Sequence, residues 1–396
     1  MEDMEKQVDS VVLELKEKLE GISDYIFEHP ELGDEEYLSS QYLVNILLEN
    51  GFKVQYPYLG VQTAFRAELG DDDGITIAFL AEYDALPYCG EEKKAAHTCG
   101  HNWIAGSTVG AALALSKIKE VFTGKVVVLG TPAEETIGRK IDLVNKGAFD
   151  DIDAVFQMHL CETTNLKAKA LAMDSWGFEF KGKASHAAAY PHEGINALDA
   201  INLTFAGINA LRQQLKPDVR IHGIITEGGE APNIIPERCT CQFYVRSEKR
   251  SYLTQVSEKV KNCAKGAALM TGAKLDIKQF ENSYDDLVLN SQLIELMHKN
   301  LKKAGFEYFS SEDELPGSTD IGNVSYKVPT MYGNVGIGDG KTKVHEVKFL
   351  EYANSAEAKT KMLMTIRAFA YSALELFNSS TLIKNVKEEF EKSRCQ

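Results

Sequence analysis

The six residues HTCGHN, at positions 97–102, place a cysteine two residues from a histidine on either side. Thiolate and imidazole groups can bind a metal ion together, and zinc accepts both kinds of ligand. A cysteine nucleophile activated by a histidine is a second chemistry for the same residue types. Taken alone, Cys99, His97 and His101 are each more typical of ordinary buried or hydrogen-bonded side chains. The motif therefore predicts a site only if other parts of the chain supply further functional groups.

Further metal-binding side chains follow apolar, strand-like segments elsewhere. Together with the cysteine and the second histidine of the motif, they make a set of six groups: Cys99, His101, Glu134, Glu135, His159 and His345. Six groups are too many for one tetrahedral ion but suit two ions that share a bridging ligand. Two-metal hydrolases also need a base for the water between the ions, and one carboxylate of the adjacent glutamate pair could serve as that base. The set predicts a two-metal hydrolytic site.

Each of these groups has a simpler explanation when it is considered separately. The acids of PAEE could lie at a helix N-terminus, where they would interact favourably with the helix dipole. Glu82 and Asp84 in AEYDALP could be turn residues at the end of a strand. A nucleophilic Cys99 would leave the glutamate pair and the distant histidines without a role. The two-metal interpretation gives all of them a role.

Composition narrows the class of protein. The chain has 396 residues, a length that predicts two domains. Its formal net charge of −15 argues against a nucleic-acid partner, because affinity for nucleic acid depends on clustered lysine and arginine. No run of residues is long and apolar enough to predict a membrane span. The charged N-terminus lacks the apolar core of a signal peptide, and the seven cysteines are scattered, so we expect reduced thiols and a cytoplasmic location.

The elements that must position these groups can be read from hydrophobic periodicity. Two helices are predicted over 5–29 and 35–50, followed by strands in TAFRAEL, GITIAFLAEY, KVVVLGTPAEE and DAVFQMHL. Strands that alternate with helices indicate an α/β fold with a mostly parallel central sheet, in which sites form at the carboxyl ends of the strands. From about Ser175 the pattern changes to βαββαβ, which predicts an inserted ferredoxin-like α+β domain. The predicted domains are 1–174 with 284–396, and 175–283.

Nine segments spread over most of the chain carry a resemblance to a known family: HPELGDEE, AEYDALP, HTCGHN, GTPAEE, KGAFDDIDAVFQMHL, GKASHAAAYPHEGINALDA, EGGEAPNIIPERC, GSTDIGNVS and VHEVKF. With these segments the chain resembles the cocatalytic zinc peptidases of the aminoacylase, carnosinase and carboxypeptidase G type, in their amidohydrolase subgroup. Within that subgroup it looks most like the branch that holds the Xaa-Arg (β-alanyl-lysine) dipeptidases and the aminobenzoyl-glutamate hydrolases.

The resemblance implies a role for each matching residue. It implies two divalent ions, zinc or manganese, held by Cys99, His101, Glu135, His159 and His345. Glu134 resembles the general base, and Asp84 resembles an acid that orients the ligands. His97 falls outside the ligand pattern. In three places the chain departs from the family: TIGRK replaces a glycine-rich run after PAEE, the link before the cysteine motif is lengthened to YCGEEKKAA, and MHL stands where His-Pro is common.

The resemblance also implies how the substrate is bound. His186 in KASH is similar to a residue that reaches the active site of a partner subunit and stabilises the oxyanion. Asn233 and Arg246 resemble groups that hold the amide and the carboxylate of the substrate. The inserted domain is then a lid and dimerisation domain of a homodimer. The implied activity is hydrolysis of small N-acyl amino acids or dipeptides, and a catalytically silent relative that binds such ligands is the alternative.

Overall fold

The computed structural model describes residues 1–87, 94–311 and 317–394, so most of the lengthened YCGEEKKAA link lies outside the described residues. The chain forms two compact units. The larger comprises Met1–Lys169, Leu287–Pro316 and Asn323–Gln396, and the smaller comprises Ala170–Asp286 and Gly317–Gly322. The sequence analysis assigned 170–174, 284–286 and 317–322 to the larger unit, whereas the structure groups them with the smaller one. Within the smaller unit, Nη1 of Arg246 donates to the hydroxyl of Ser318 at 3.3 Å.

The larger unit opens with three helices: α1 (Glu2–Glu14), α2 (Lys16–Glu28) and α3 (Tyr37–Glu49). The prediction of one continuous helix over 5–29 was wrong, because Leu15 separates α1 from α2. The apolar stripe runs through the break, with Val8 and Val12 buried before it and Leu19 and Ile22 after it. Hydrophobic periodicity therefore could not reveal an interruption of a single residue.

The central sheet of the larger unit has six strands: β1 (Lys53–Gln55), β2 (Phe65–Gly70), β3 (Thr76–Ala81), β4 (Lys125–Gly130), β5 (Ala154–Cys161) and β10 (Thr330–Gly336). Their order is β1-β2-β4-β3-β5-β10. The four neighbouring strands β4, β3, β5 and β10 are parallel to one another. At the other edge, β2 pairs antiparallel with β4, and β1 pairs antiparallel with β2. Strand β3 is buried along its whole length, as expected for a parallel strand in the middle of an α/β sheet.

Helices complete the larger unit. The helix that follows the cysteine motif, α4 (His101–Ser116), is buried from residue 101 to residue 115 and contacts α2, the long helix over 356–378 and the sheet. The remaining helices outside the βαββαβ segment are α5 (Arg139–Asn145), α8 (Ser291–Ala304), α9 (Ile321–Ser325), α10 (Leu350–Ala353), α11 (Ala356–Asn378) and α12 (Ser380–Arg394). Within the described ranges, no helix combines the length and apolar character needed to cross a membrane.

The smaller unit contains β6 (Ala172–Lys181), α6 (Ala197–Leu211), β7 (Arg220–Glu227), β8 (Arg238–Ser247), α7 (Arg250–Thr271) and β9 (Lys274–Gln279). Its antiparallel sheet has the order β7-β8-β6-β9. Alternate residues of β8, such as Phe243 and Val245, are buried in the core of this unit, whereas Tyr244 and Arg246 face the other side of the sheet. The predicted α/β fold with a βαββαβ insertion is confirmed.

Candidate metal centre

Three of the parallel strands direct the predicted polar groups to one edge of the sheet. Glu82 and Asp84 directly follow β3, and Glu134 and Glu135 lie four and five residues beyond the end of β4. His159 lies near the end of β5. Because parallel strands end at the same edge of a sheet, these groups come together although they are far apart in the sequence. The position that the sequence analysis predicted for them is the observed one.

Gly100 lets the cysteine motif pack closely against Leu160 of β5. Gly100 has φ +79°, and a Cβ atom there would lie 2.9 Å from Cδ1 of Leu160, so a larger residue would both strain the turn and collide with the strand. This close approach places Sγ of Cys99 3.3 Å from Nε2 of His159. Nδ1 of His159 lies 2.6 Å from the carbonyl oxygen of Leu160 and donates to it, which leaves the Nε2 lone pair directed at the site.

His101, the first residue of α4, is fully buried and is oriented by Asp84. Its Nδ1 lies 2.8 Å from Oδ1 of Asp84. Its Nε2 has no hydrogen-bond partner and faces Oε2 of Glu82 at 3.6 Å and Oε1 of Glu135 at 3.8 Å. Burial alone would lower the pKa of His101, but Asp84 and then Glu82 and Glu135 outweigh it and raise the pKa. Asp84 thus directs Nε2 into the site, where the two glutamates favour a positive charge, whether a proton or a bound cation.

Glu135 and His345 form the other side of the site. The backbone N–H of Glu135 donates to Oδ2 of Asp84 at 2.9 Å, so one aspartate orients both His101 and the glutamate turn. Oε1 of Glu135 lies 3.3 Å from Nε2 of His345. Burial raises the pKa of Glu135, but the His345 hydrogen bond and the charge of His101 lower it to about 2. This carboxylate is therefore ionised at neutral pH.

The ligand atoms fall into three overlapping groups whose members lie within 4.8 Å of one another: Cys99, His101 and His159; Cys99, Glu135 and His345; His101, Glu134 and Glu135. Cys99, His101 and Glu135 each belong to two of these groups, so the three groups form one continuous cluster. Nε2 of His101, which is buried without a hydrogen-bond partner, and Oε1 of Glu135, which lies 3.3 Å from Nε2 of His345, point into this space. Sulfur, imidazole and carboxylate donors suit a zinc-type ion. The residues thus fit a pair of divalent cations.

Two other residues of the motif region are less suited to direct chemistry. Burial lowers the pKa of His97 to about 3, and this residue lies outside the three ligand groups, as the sequence analysis expected. Burial, followed by the charges of Glu135 and Glu134, raises the pKa of the Cys99 thiol well above its usual value. Catalytic cysteines instead have lowered pKa values, so this environment argues against the nucleophile interpretation.

Two buried residues that support the site were not recognised in the sequence. Oε1 of Glu36 accepts from the backbone N–H of Ala133 at 2.7 Å, and its Oε2 accepts from the Thr63 hydroxyl, which holds the turn before the glutamate pair. Burial, together with the charge of Asp84, raises the pKa of Glu36 to about 8. Glu36 is the last residue of HPELGDEE, and its place in this family-like segment was the only sign in the sequence that it could support the site.

Glu82 is the second residue; the sequence analysis considered it only as a turn residue, and its pairing with a lysine was not recognised. Its Oε1 lies 2.6 Å from Nζ of Lys140, and both side chains are almost completely buried. Burial raises the pKa of Glu82, but Lys140 and then His101 lower it to about 2. Lys140 comes from TIGRK, the segment that departs from the family pattern, and this departure was the signal for it.

We expect Lys140→Met to lower the free energy of unfolding of the metal-free larger unit by about 3–5 kcal/mol, because it leaves the Glu82 carboxylate buried without its cation. The double variant Glu82→Gln/Lys140→Met should recover part of this loss. Urea unfolding can be followed by the fluorescence of the buried Trp103 in a Trp176→Phe background. Lys117→Met, at an exposed lysine, is the control. Equal losses in Lys140→Met and this control would contradict the expectation.

The remaining predicted residues lie in the smaller unit. His186 and Asn233 are exposed neighbours, because the N–H of Ala187 donates to the carbonyl of Asn233 at 3.0 Å. They lie beyond the Arg238 end of β8, whereas Arg246 is near the opposite end of that strand. The smaller unit therefore brings His186 and Asn233 together but does not bring Arg246 to them.

Comparison with known proteins identifies relatives over nearly the whole chain. The model described as Peptidase family M20/M25/M40 matches residues 78–366. The Xaa-Arg dipeptidase of Mus musculus is 39% identical over 394 residues, which cover 95% of this chain and 90% of that protein. A p-aminobenzoyl-glutamate hydrolase subunit of Escherichia coli strain K12 is 26% identical over 461 residues, which cover 98% of this chain and 95% of that protein.

A solved structure has the same fold. A dinuclear metal-binding peptidase of the M20 family from Bacillus subtilis matches with a TM-score of 0.69 and 20% sequence identity, covering 91% of this chain and 99% of that chain. The sequence-based family assignment is confirmed by the family match and by the extent of the sequence relationship. The chain belongs to peptidase family M20/M25/M40 and is a hydrolase that acts on amide bonds.

Proposed function

We propose that this protein is a dipeptidase that binds two divalent ions, zinc or manganese, and releases a C-terminal amino acid with a cationic side chain. The observation that carries the proposal is the arrangement of Glu134 beside five further candidate ligands, which together form three overlapping groups. The substrate class is supported by the Xaa-Arg dipeptidase relative, which aligns with 95% of the chain.

In this proposal, Cys99 would contribute to both ions, His101 and His159 would help to hold one of them, and Glu135 and His345 would help to hold the other. When bound, such a pair of ions supplies Lewis acidity for the scissile carbonyl and lowers the pKa of a water molecule. Glu134 accepts the proton of the attacking water on a carboxylate oxygen and donates it to the nitrogen of the leaving amine.

Asp84 contributes by orientation in this mechanism. One of its oxygens fixes the ring of His101, and the other accepts from the backbone N–H of Glu135. It therefore couples a ligand from each of the two groups, in the way that outer carboxylates commonly orient metal-binding imidazoles.

We further propose that the active protein is a homodimer. Strand β7 is an edge strand that exposes Ile224 and Ile225, a feature suited to pairing with a second copy. The strand between Arg238 and Arg246 rises by about 26 Å, at about 3.3 Å per residue. An extended dipeptide spans at most about 7 Å, so His186 and Arg246 of one chain are too far apart to bind the same dipeptide.

A catalytically silent relative that only binds such ligands is the competing function. That role requires no general base, whereas Glu134 lies within the group formed with His101 and Glu135. Catalysis of hydrolysis is therefore the better-supported role.

The five cysteines of the described part form no disulfide bond, which suits a reducing compartment such as the cytoplasm.

The proposal can be tested by incubating the protein, loaded with zinc or with manganese, with alanyl-arginine, β-alanyl-lysine, alanyl-methionine and aminobenzoyl-glutamate. We expect release of the amino acid to be fastest from the two basic dipeptides and to be abolished by a chelator. Elemental analysis should find up to two divalent ions per chain. Activity that persists in the chelator after complete loss of metal would contradict the mechanism, and preferred cleavage of aminobenzoyl-glutamate would contradict the substrate class.

A further inference from the structure

A partly buried arginine on the open face of the smaller unit's sheet has no acidic partner. Nη1 of Arg246 donates to the hydroxyl of Ser318 at 3.3 Å, and its buried Nε has no hydrogen-bond partner. No carboxylate in the described ranges forms an ion pair with it. Burial lowers its pKa, although the nearby Tyr244 and Glu281 oppose this effect. A guanidinium in this condition is suited to binding an anionic group of a ligand, such as a carboxylate.

A partly buried glutamate on the same face, Glu281, forms no ion pair with a basic side chain of the described residues. Glu281 accepts a hydrogen bond from the hydroxyl of Tyr244, but no lysine, arginine or histidine of the described part of the chain forms an ion pair with it. Other buried acids of this unit differ, because Asp174 and Asp285 both pair with Arg250. Burial raises the pKa of Glu281, and the Tyr244 hydrogen bond and the charge of Arg246 oppose this, although Arg246 forms no ion pair with it. The carboxylate is therefore suited to a further cation from outside the chain.

Tyr244 links the two charged groups, and other rings surround it. Cζ of Arg246 lies 5.8 Å from the centroid of the Tyr244 ring. The rings of Phe280 and His222 lie 5.5 and 5.8 Å from the same ring. Aromatic faces beside a carboxylate favour a guanidinium or an ammonium group, because they add a cation–π interaction and contact the aliphatic part of a long side chain.

We infer that Glu281 selects a cationic side chain, of the arginine or lysine type, on the amino acid whose carboxylate binds Arg246. The inference rests on the proposed function, since this amino acid is the one that the dipeptidase releases. It assigns the preference for basic residues to a single carboxylate of the smaller unit. The overall negative charge of the chain would then not be the source of the preference.

The kinetic test compares alanyl-arginine with alanyl-citrulline, whose side chain has nearly the same shape but no charge. For Glu281→Gln, we expect kcat/KM for alanyl-arginine to fall about 10- to 100-fold, the range typical of losing one hydrogen bond to a charged group. The value for alanyl-citrulline should change by less than about twofold. The matched control is Glu248→Gln, at an exposed acid two residues from Arg246, which should retain the preference for arginine.

A binding measurement separates this inference from the proposed function. Calorimetry of the metal-loaded protein should show tighter binding of L-arginine than of L-citrulline, and Glu281→Gln should lose the difference while keeping the same thermal unfolding midpoint. If the wild-type protein cleaves no dipeptide, the proposed function fails and the calorimetry alone decides the inference. A preference for arginine that survives in Glu281→Gln, or its absence in the wild type, would overturn the inference.

Discussion

Glu134→Ala is expected to lower kcat by about 10²–10⁴-fold, the usual contribution of a general base, while the protein keeps both metal ions. The physical reason is that the substitution removes the group that moves the proton and leaves Cys99, His101, Glu135, His159 and His345 in place. Activity on alanyl-arginine and the metal content of the same preparation should be measured together. A variant with near wild-type turnover would contradict this role for Glu134.

Glu135→Ala is the matched comparison, because it removes a carboxylate from the adjacent position. Glu135 lies 3.3 Å from Nε2 of His345 and shares a ligand group with it and with Cys99. We expect this variant to lose activity and also to bind less metal, as measured by elemental analysis after dialysis. Equal metal contents in the two variants would show that the roles of the two glutamates are wrongly divided.

Most of the metal centre could be predicted from the sequence because its residues belong to short segments with local signals. Cys99 and His101 share one turn, the glutamates follow an apolar strand, and His159 lies within another strand. The carboxyl-end rule for parallel strands then brings them to one edge. This rule places groups near one another but does not reveal how each is oriented. The resemblance implied that Asp84 orients the ligands, but the atoms that it contacts and the Nδ1 contact of His159 became visible only in the structure.

The supporting contacts could not be predicted because they join residues that are distant in the sequence. Glu82 and Lys140 are 58 positions apart, and Glu36 and Ala133 are 97 positions apart. A buried lysine has no periodic signature, since lysine is ordinarily a surface residue. The same limit applies to 317–322, because its hydrogen bond with Arg246 joins residues that are 72 positions apart.

The last prediction concerns His186 and the proposed dimer. Nδ1 of His186 accepts from the backbone N–H groups of Ala188 and Ala189 at 3.3 and 3.1 Å. In the neutral ring the proton is therefore on Nε2, where an exposed imidazole can donate to an oxyanion. We expect His186→Ala to lower kcat by about 10²–10³-fold, as is typical for the loss of one oxyanion donor, without changing the metal content.

Subunit mixing can show which chain this histidine serves. If it acts on the partner's site, a heterodimer of His186→Ala and Glu134→Ala contains one intact site, with Glu134 from the first chain and His186 from the second. Random exchange makes half of the dimers heterodimers, so activity should return to about a quarter of the wild-type value per chain.

A mixture of Glu134→Ala with Glu135→Ala is the control, because both substitutions damage the same side of every site and no pairing repairs it. Native mass spectrometry should establish that subunits have exchanged in both mixtures. The distance along β8 predicts recovery only in the first mixture, since His186 and Arg246 of one chain lie too far apart to bind the same dipeptide. If the exchanged mixture containing His186→Ala stays as inactive as its parents, His186 does not serve the partner's site and the shared-site dimer is wrong.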